Sequence, residues 1–389
     1  MSASALDVAT AAAGVLGGFD DDYWQEHCRT GRHPGELWRA LAAADLLGLG
    51  LPAEYGGTGL GVTEAAALVE ATARAGRPLF SLLTTYICGE LLLRHGSEQQ
   101  RSTYLPPLAA GTLRLAFAIT EPDAGTNSFA IRTSVRRTDG GLSLTGHKCF
   151  ISGIDQADVV IVVARSAHSD MARSANGDGA VDRRDGMALL LVDPRADGVT
   201  MQPMSIEMPA PERQFDVWFD DVLIADDAVV GEVGDGFRHL FTVLNPERLL
   251  TAATQVGIGR RALRLGVEAA VRRAPFGVPV GSYQAIQHPL AHAHAQLEAA
   301  DLMTRDGCAA YDAGRSAGTQ ANVAKLLAAE ASQAAFDAAV QAHGGAAFDR
   351  ASGLTDLWPL VRMGRIGPVS NEMVLNHLAE HTLGLPKSY

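Results

Sequence analysis

Four kinds of residue in this 389-residue chain are best able to take part in chemistry: one glutamate, one arginine, and the hydroxyl residues and glycines of its turns. Glu247, in the sequence LNPERLL, offers a carboxylate that could accept a proton. Arg273, in RAPFGVP, carries a permanent charge that could bind a phosphate. In ITEPDAGT, Thr120 offers a hydroxyl, and Gly125 lets the backbone approach a ligand closely. These residue types alone leave the reaction open.

Each of these groups also has a purely structural explanation. The Thr120 segment could simply end a strand in a Pro-Asp turn. An arginine before a helix break often only interacts with the helix dipole. Glu247 could occupy the first turn of a helix capped by Asn245. The apolar run from 237 to 244 favours instead a helix that passes through Pro246.

The hydrophobic pattern changes twice along the chain, which predicts three regions. Residues 1–115 repeat apolar side chains at helical spacing. Residues 116–232 alternate β-branched runs with turns, as in LSLTGHKCFIS and DVVIVVAR. Residues 233–389 return to the helical pattern, with long alanine-rich stretches. The predicted fold class is α+β and mainly α, with a β-barrel or sandwich domain between two helical domains.

Two helices of the first region can be predicted in more detail. LWRALAAADLLGLGL (37–51) keeps helical spacing throughout, so we expect one helix that ends before Pro52. VTEAAALVEATARAG begins a second helix, with Thr63 as the predicted N-cap.

Composition argues against several classes of protein. The chain has 32 basic and 44 acidic residues, and this net charge of -12 argues against a nucleic-acid partner. The four cysteines lie far apart and form no CxxC pair, which fits a reducing compartment. No dense apolar run is long enough to cross a bilayer, and acidic residues follow the N-terminal apolar stretch, unlike a signal peptide. We expect a cytoplasmic protein.

Three further features predict no chemistry. His288, His292 and His294 have a spacing that could hold a metal, but no carboxylate or cysteine pattern accompanies them, so no metal site is predicted. Cys149 is interpreted as an inert packing residue. The polar segment 166–186 is interpreted as a surface loop without a catalytic role.

Four sequence blocks resemble the acyl-CoA dehydrogenase family and follow its order. They are LPAEYGGTGL (51–60), AFAITEPDAGTNS (116–128), RAPFGVP (273–279) and QAHGGAAF (341–348). The resemblance implies an N-terminal helical domain, a middle β domain and a C-terminal four-helix bundle. It also implies FAD as cofactor, bound between the β domain and the bundle.

Family members contact FAD through residues that match positions in this chain. The strand KCFIS (148–152) has Phe150 where the family has tryptophan, and Ser152 keeps the hydroxyl that points at flavin N5. The RxxFG and QxxGG blocks reach the FAD of a neighbouring subunit in the family, which implies an obligate oligomer. The implied FAD contacts are Phe117, Ile119, Thr120, Gly125, Thr126, Phe150, Ser152, Arg273, Phe276, Gln284, Gln341, Gly344, Gly345 and Ser370.

The residue that takes the substrate proton is displaced from its usual position. Many family members carry a glutamate where this chain has Pro368, which cannot titrate. The isovaleryl-CoA and long-chain acyl-CoA dehydrogenases instead carry the base in a Leu-x-x-Glu-Arg sequence, which matches Glu247 here. We therefore predict Glu247 as the catalytic base. Glu372 is a poorer candidate because many members carry an acid there alongside the true base.

Two residues are expected to contact the substrate. Arg248 would either orient Glu247 or contact the substrate itself. Gly367 stands where many members have tyrosine, so we expect it to border a pocket for branched or bulky acyl groups.

The implied reaction is the α,β-dehydrogenation of an acyl-CoA to the 2-enoyl thioester, with electrons passed to an electron-transfer flavoprotein. The implied assembly is a homotetramer, and the implied role is in fatty acid metabolism. Three alternatives stay open: a flavin monooxygenase or oxidase on the same fold, a dehydrogenase of carrier-protein thioesters, and a non-catalytic subunit of a mixed oligomer. Retention of Arg273, Gln341 and Gly345 argues against the last of these.

Overall fold

The structure of the chain is a computed structural model that describes residues 2–166 and 186–387. The predicted surface loop at 166–186 falls almost entirely on residues 167–185, which lie outside the described residues.

The first part of the chain is helical, as predicted. Three of its helices begin after a side chain that accepts a backbone N–H group: Ser2 before α1, Asp20 before α2, and Ser97 before α6. The helices are α1 (Ala3–Leu16), α2 (Asp21–Thr30), α3 (Gly35–Ala43), α4 (Val62–Arg74), α5 (Phe80–His95) and α6 (Glu98–Ala109).

Two local predictions for this part were wrong. The helix expected over 37–51 ends at Ala43, because the backbone turns at Asp45, whose φ is 57°. Thr63 lies inside α4 and is not its N-cap. The N–H groups of Val62 and Thr63 instead donate to the carboxylate of Asp312, which follows by some 250 residues. The sequence near Thr63 carries no sign of that partner.

The middle part forms one eight-stranded sheet. Its strands are β1 (Leu115–Ala118), β2 (Ser134–Thr138), β3 (Gly141–Ser152), β4 (Val159–Ser166), β5 (Met187–Val192), β6 (Val199–Pro203), β7 (Gln214–Ile224) and β8 (Val229–Gly234). The order is β6-β7-β3-β2-β4-β5-β8, and β1 pairs in parallel with β4. Alternate side chains of the sheet enclose one apolar core, which includes Leu144, Val162, Leu190 and Val217. The sheet therefore curls around its own core.

The last part is helical again. It consists of α7 (Gly236–Arg272), α8 (Gln284–Asp312), α9 (Gly318–His343), α10 (Leu357–Ile366) and α11 (Asn371–His377). Helices α7, α8 and α9 pack against one another, and α10 packs on α7 and α9, which completes a bundle of four. The predicted fold class is confirmed. We propose 1–115, 116–232 and 233–389 as the domain limits.

Helix α7 joins all three parts of the chain. It packs against α4 and α5 of the first part, β5 and β8 of the sheet, and α8, α9 and α10 of the bundle. Many of its core residues are alanine or glycine, such as Gly257 and Gly259, which allow close contact with neighbouring helices. Any group carried by α7 is therefore held by a rigid and largely buried element. Within the described ranges, no helix is both long and apolar enough to cross a membrane.

Candidate active site

Glu247 lies on α7, which runs through Pro246 without ending, so the prediction of a continuous helix was right. Its side chain is half-buried. Cys88, on α5, is fully buried, and its pKa is raised mainly by burial and also by the charge of Glu247. Burial raises the pKa of Glu247 to about 7, against a smaller opposing effect of Arg248. A carboxylate with this pKa can gain and lose a proton near neutral pH.

The surroundings of Arg248 are rich in positive charge. Its Nη1 donates weakly to Asn245 Oδ1 at 3.3 Å, and its buried Nε has no hydrogen-bond partner among the described residues. Lys325 is 1% exposed, and its Nζ donates to Asn371 Oδ1 at 2.8 Å. The pKa of Lys325 is lowered to about 8, mainly by burial and also by the charges of Arg365 and Arg248, against an opposing effect of Glu372. An anionic group near Arg248 would therefore be stabilised.

The usual position of the base is occupied by groups that cannot replace Glu247. Pro368 is exposed and has no titratable group. Glu372 is also exposed, and hydrogen bonding to its own backbone N–H lowers its pKa, which makes it a weaker base than Glu247. Ser370 caps α11, since its Oγ accepts the N–H of Met373 at 3.3 Å. A Cβ added at Gly367 would have open space around it within the described chain, so the glycine leaves room there.

A buried ion pair holds the turn that follows β1. Lys148 Nζ donates to Glu121 Oε1 at 2.9 Å and to the carbonyl of Ile119 at 2.8 Å. The carboxylate of Glu121 also accepts the N–H groups of Arg132 and Thr133. These bonds fix the turn to β3, so the residues between its two ends keep a defined position.

The exposed residues of this turn leave groups free for a ligand. The hydroxyls of Thr120 and Thr126 have no hydrogen-bond partner in the described part of the chain. Gly125 is exposed, and within the described residues nothing lies within 4 Å of a Cβ added there. Phe117 and Ile119 are partly buried against the apolar cluster that contains Cys88.

Phe150 adopts a left-handed backbone conformation in β3. Its φ is 57°, and it lies at an irregularity in the pairing of β3 with β7. Its ring is 55% exposed although phenylalanine gains free energy by burial. A strained bulge that presents an aromatic ring to the outside is typical of a binding surface.

Ser152 lies two residues further along β3, and its hydroxyl is held by Gln214 on β7. Gln214 Nε2 donates to Ser152 Oγ at 2.9 Å, and Ser152 Oγ lies 3.1 Å from Gln214 Oε1. The amide fixes the position of this hydroxyl at the end of the strand.

The RxxFG and QxxGG blocks meet at the opposite end of α7. Arg273 Nη1 donates to the carbonyl of Ala342 at 3.4 Å, and its guanidinium lies against Gly344, where a Cβ would come within 3.1 Å of it. Gly344 also has a φ of 61°, so two constraints favour glycine. The residues around this contact are exposed: Arg273, Phe276, Gln284, Gln341 and Gly345.

Glu247 and Arg273 lie far apart along α7, since Glu247 is in the N-terminal half of the helix and Arg273 follows its C-terminal end. About 26 residues separate them, and at a rise of about 1.5 Å per residue they lie roughly 39 Å apart. The contact between the RxxFG and QxxGG blocks is therefore distant from Glu247 within one chain.

A cavity of about 850 Å³ lies elsewhere in the described residues. It is lined mainly by side chains of α4, α5 and α8, and it contains neither Glu247 nor any residue of the turn that follows β1. Its charged groups already have partners: Glu90 with Arg94, Asp301 with Arg305, and Asp312 with Thr63. Glu247 therefore stays the candidate base that we propose below.

Comparison with known proteins identifies the family. Residues 19–112, 116–222 and 234–383 match the N-terminal, middle and C-terminal domains of acyl-CoA dehydrogenases. The chain belongs to the acyl-CoA dehydrogenase family. It is 40% identical to acyl-CoA dehydrogenase FadE12 of Mycobacterium tuberculosis over 382 residues, which cover 97% of this chain and 96% of the relative.

Solved structures of acyl-CoA dehydrogenase type share the whole fold. Butyryl-CoA dehydrogenase from Megasphaera elsdenii is 25% identical, with a TM-score of 0.89 over 98% of this chain and 99% of that one. The FAD complex of PigA is 26% identical, with a TM-score of 0.89 over 99% of this chain and 98% of that one. The protein is an FAD-dependent oxidoreductase, as the sequence predicted.

The residues of this acyl-CoA dehydrogenase fit the cofactor. The free hydroxyls of Thr120 and Thr126, the open space at Gly125 and the outward ring of Phe150 match a flavin surface. The exposed guanidinium of Arg273 matches a diphosphate.

The sequence analysis missed residues that support the site without touching a ligand. Lys148, Glu121 and Gln214 position the flavin turn and Ser152. A lysine inside the apolar strand LSLTGHKCFIS was a usable signal, because a buried lysine requires an acidic partner. His288, His292 and His294 are exposed on α8.

Proposed function

We propose that this acyl-CoA dehydrogenase converts an acyl-CoA to the 2-enoyl thioester, with Glu247 as the base. The observation that carries the proposal is the raised pKa of Glu247, about 7, in a protein where Pro368 holds the usual position of the base. Flavin-dependent dehydrogenation is the chemistry of the family, and the assignment of its base to Glu247 rests on this chain's own residues.

Bound FAD would supply the acceptor for the hydride that leaves Cβ of the substrate. Glu247 takes the α-proton, and its raised pKa makes it a stronger base than an ordinary carboxylate. Arg248 follows Glu247 on α7, and its unpartnered Nε can donate to Asn245, to Glu247 or to a substrate oxygen as the proton moves. Burial raises the pKa of Glu247 and lowers that of Arg248, so the surroundings of both side chains favour their uncharged forms.

The FAD contacts that we propose form two groups. In the group assigned with Glu247, the ring of Phe150 would cover the flavin, the hydroxyl of Ser152 would lie toward N5, and the other contacts would be Phe117, Ile119, Thr120, Gly125, Thr126 and Ser370. Beyond the C-terminal end of α7, Arg273 would bind the diphosphate, and the further contacts there would be Phe276, Gln284, Gln341, Gly344 and Gly345.

The far group serves the FAD of a neighbouring subunit in a homotetramer. The support is the distance along α7 and the character of the surface, since Phe276 and Phe348 are each 82% exposed beside the Arg273 contact. Exposed aromatic side chains of this size favour a subunit interface. A monomer with full FAD occupancy by analytical ultracentrifugation and absorbance would exclude this arrangement.

The electron acceptor we propose is an electron-transfer flavoprotein. With a thioester product bound, the reduced flavin should reoxidise slowly in air and quickly with ferrocenium. The alternative is a monooxygenase or oxidase on the same fold. Stoichiometric insertion of oxygen into a substrate would decide for that alternative.

The acyl group we propose is branched or bulky. The base reaches the substrate from α7, while Gly367 and Pro368 leave the opposite wall without a large side chain or a carboxylate. A strong preference for short straight chains would contradict this assignment. We further propose a cytoplasmic location and a role in fatty acid metabolism.

One experiment tests the proposed function directly. The purified protein with FAD is mixed anaerobically with straight and branched acyl-CoA thioesters and with matching pantetheine thioesters, and flavin absorbance is recorded. Bleaching by saturated thioesters and formation of the 2-enoyl product support the function. Absence of bleaching with every thioester, while dithionite still reduces the flavin, excludes it.

A further inference from the structure

A small polar cavity lies behind the Ser152 hydroxyl, at the junction of the first helical part and the sheet. Its volume is about 30 Å³, and Ser152, Gly153 and Gln156 line it from the sheet side. The two parts are joined around it: Gln156 Nε2 donates to the carbonyl of Gly31 at 2.7 Å. A cavity needs roughly 10–15 Å³ to hold one water, so this one has room for a single water molecule.

The cavity is surrounded by polar atoms that need a partner. Glu212 is 7% exposed, and its Oε1 accepts the N–H of Ser81 at 2.9 Å. Its Oε2, Ser81 Oγ and His33 Nε2 are buried and have no hydrogen-bond partner within the described ranges. Burying such groups unpaired costs free energy, and one water that bonds to two to four of them removes the cost.

Glu212 is the group in this cavity that can change its charge during turnover. Burial raises the pKa of Glu212, and the hydrogen bond from the backbone N–H of Ser81 opposes this effect. The other titratable groups that face it are His33 and Arg114, which line the cavity, and Cys28, whose pKa is raised mainly by burial and also by the charges of Glu212 and Asp356. Burial and the charge of Arg114 lower the pKa of His33 to about 4, so its ring is neutral near pH 7.

We propose that a water in this cavity links the Ser152 hydroxyl to Glu212, and that Glu212 accepts through it the proton released when the reduced flavin is reoxidised. This rests on the proposed function, because it uses the placement of Ser152 at flavin N5. Two one-electron acceptors, such as electron-transfer flavoprotein, each take one electron from the ring. The N5–H bond breaks, an O–H bond forms on Glu212, and Glu212 later releases the proton to solvent.

In this proposal the two carboxylates Glu247 and Glu212 act in different half-reactions of the flavin. Glu247 takes a proton from the substrate while the flavin is reduced, and Glu212 takes one from the cofactor side while it is reoxidised. Glu212 must be ionised to accept the proton, so reoxidation should become faster as the pH rises through its raised pKa.

The test measures reoxidation apart from reduction. The FAD-loaded protein is reduced anaerobically with dithionite, which needs no substrate, and is then mixed with saturating ferrocenium across a range of pH. We expect Glu212→Gln to slow reoxidation at least about tenfold and to lose the rise with pH, while flavin reduction by the best thioester stays unchanged. Glu212→Asp should restore part of the rate. Asp220→Asn, an exposed carboxylate on β7, is the matched control and should behave as the parent.

A second measurement does not depend on turnover. Infrared difference spectra of the FAD-free protein should show a buried carboxylic acid that titrates above the surface carboxylates, that remains in Glu247→Gln and that is lost in Glu212→Gln. Ser81→Ala, which keeps the backbone N–H that Glu212 accepts, should shift this band because it removes one partner of the water.

Two results overturn the relay. One is Glu212→Gln reoxidising as fast as the parent at every pH. The other is a reoxidation rate that Glu212→Gln lowers by the same factor at every pH, which would indicate a structural role alone. If no thioester bleaches the flavin, the proposed function fails while the dithionite experiment still decides the role of Glu212.

Discussion

Helix α7 carries two charged groups in different environments, Glu247 in its N-terminal half and Arg273 after its C-terminal end. Glu247 is half-buried, and burial raises its pKa to about 7. Arg273 is exposed and meets its own chain through a long hydrogen bond to Ala342 and contact with Gly344. The same helix therefore holds a partly desolvated carboxylate and a hydrated cation.

The difference follows from what each group has to do. A base is strengthened by removal of water, and one chain can supply that environment by packing α5 against α7. A phosphate-binding arginine gains most when a partner covers it, and until then solvation keeps it stable. The surroundings that raise the pKa of Glu247 come from one chain, whereas Arg273 would be covered only in the assembly that we propose.

The largest effect is expected from removing the carboxylate of Glu247. Glu247→Gln should retain FAD and thioester binding but lower the rate of flavin reduction by about a hundredfold or more, because the amide cannot accept the proton. Stopped-flow absorbance of the flavin measures this rate, and the unchanged visible spectrum shows that the site is intact.

The matched control is Glu372→Gln, which removes an exposed carboxylate of lowered pKa and should have a mild effect. A glutamate at 368, with Val369→Gly, should partly restore reduction in the Glu247→Gln protein if both positions reach the same α-carbon. Parental reduction rates in Glu247→Gln would show that the base lies elsewhere.

The next largest effect is expected from removing the guanidinium of Arg273. Arg273→Ala should weaken FAD binding by about ten- to a hundredfold, the range expected for losing charge-assisted hydrogen bonds to a phosphate. Occupancy is measured by the ratio of flavin to protein absorbance after dialysis, together with subunit mass by ultracentrifugation. Arg272→Ala, one residue earlier and also exposed, should keep its FAD. Equal losses in both variants would point to general charge and not to a specific phosphate contact.

The third effect concerns the free energy of unfolding, which should depend on the charge of Glu247. The folded protein holds the Glu247 proton up to about pH 7, whereas an unfolded glutamate loses it near pH 4.5, so an ionised Glu247 destabilises the fold. Glu247→Gln should therefore raise the free energy of unfolding by about 1–3 kcal/mol at pH 8 and by much less at pH 5. Denaturant unfolding of the FAD-free proteins at both pH values measures the difference. A gain that does not depend on pH would mean that the carboxylate is not desolvated.

The smallest effect concerns the backbone strain at Phe150. Phe150→Gly should stabilise the FAD-free protein by about 1 kcal/mol, because glycine adopts a φ of 57° without steric cost and the ring is already exposed. The same change should weaken FAD binding, since it removes the aromatic cover. Asp45→Gly, at the same φ but outside the site, should stabilise without affecting FAD. Stability by urea unfolding and FAD affinity by fluorescence test the pair.

Much of the site could be predicted because its groups are local in sequence. The apolar run before Pro246 indicated a continuous helix, and the structure confirms it. The change from helical to alternating patterns at residue 116 indicated where the sheet begins, within a residue of β1. These signals are local because periodicity follows from the geometry of one element at a time.

Other features depend on partners distant in the chain. The cap of α4 comes from Asp312, not from Thr63, and nothing near Thr63 specifies it. The proposed relay at Glu212 requires Ser81 and His33, which come from the first helical part. Pattern reasoning cannot detect such contacts, since they exist only after the domains dock.

The sequence by itself determined the family, the cofactor and the fold class, and it indicated Glu247 as the carboxylate that we propose in place of the missing base, because these follow from residue types and short spacings. The tertiary structure alone decided the environment of each group: which carboxylate is desolvated, which hydroxyl is fixed, and which charges stay in water. The physical reason is that pKa values and hydrogen-bond satisfaction depend on burial by residues far apart in the chain. Glu247 and Glu372 are both glutamates in the printed sequence, and only their positions in the fold raise the pKa of the first by burial and lower that of the second by a backbone hydrogen bond.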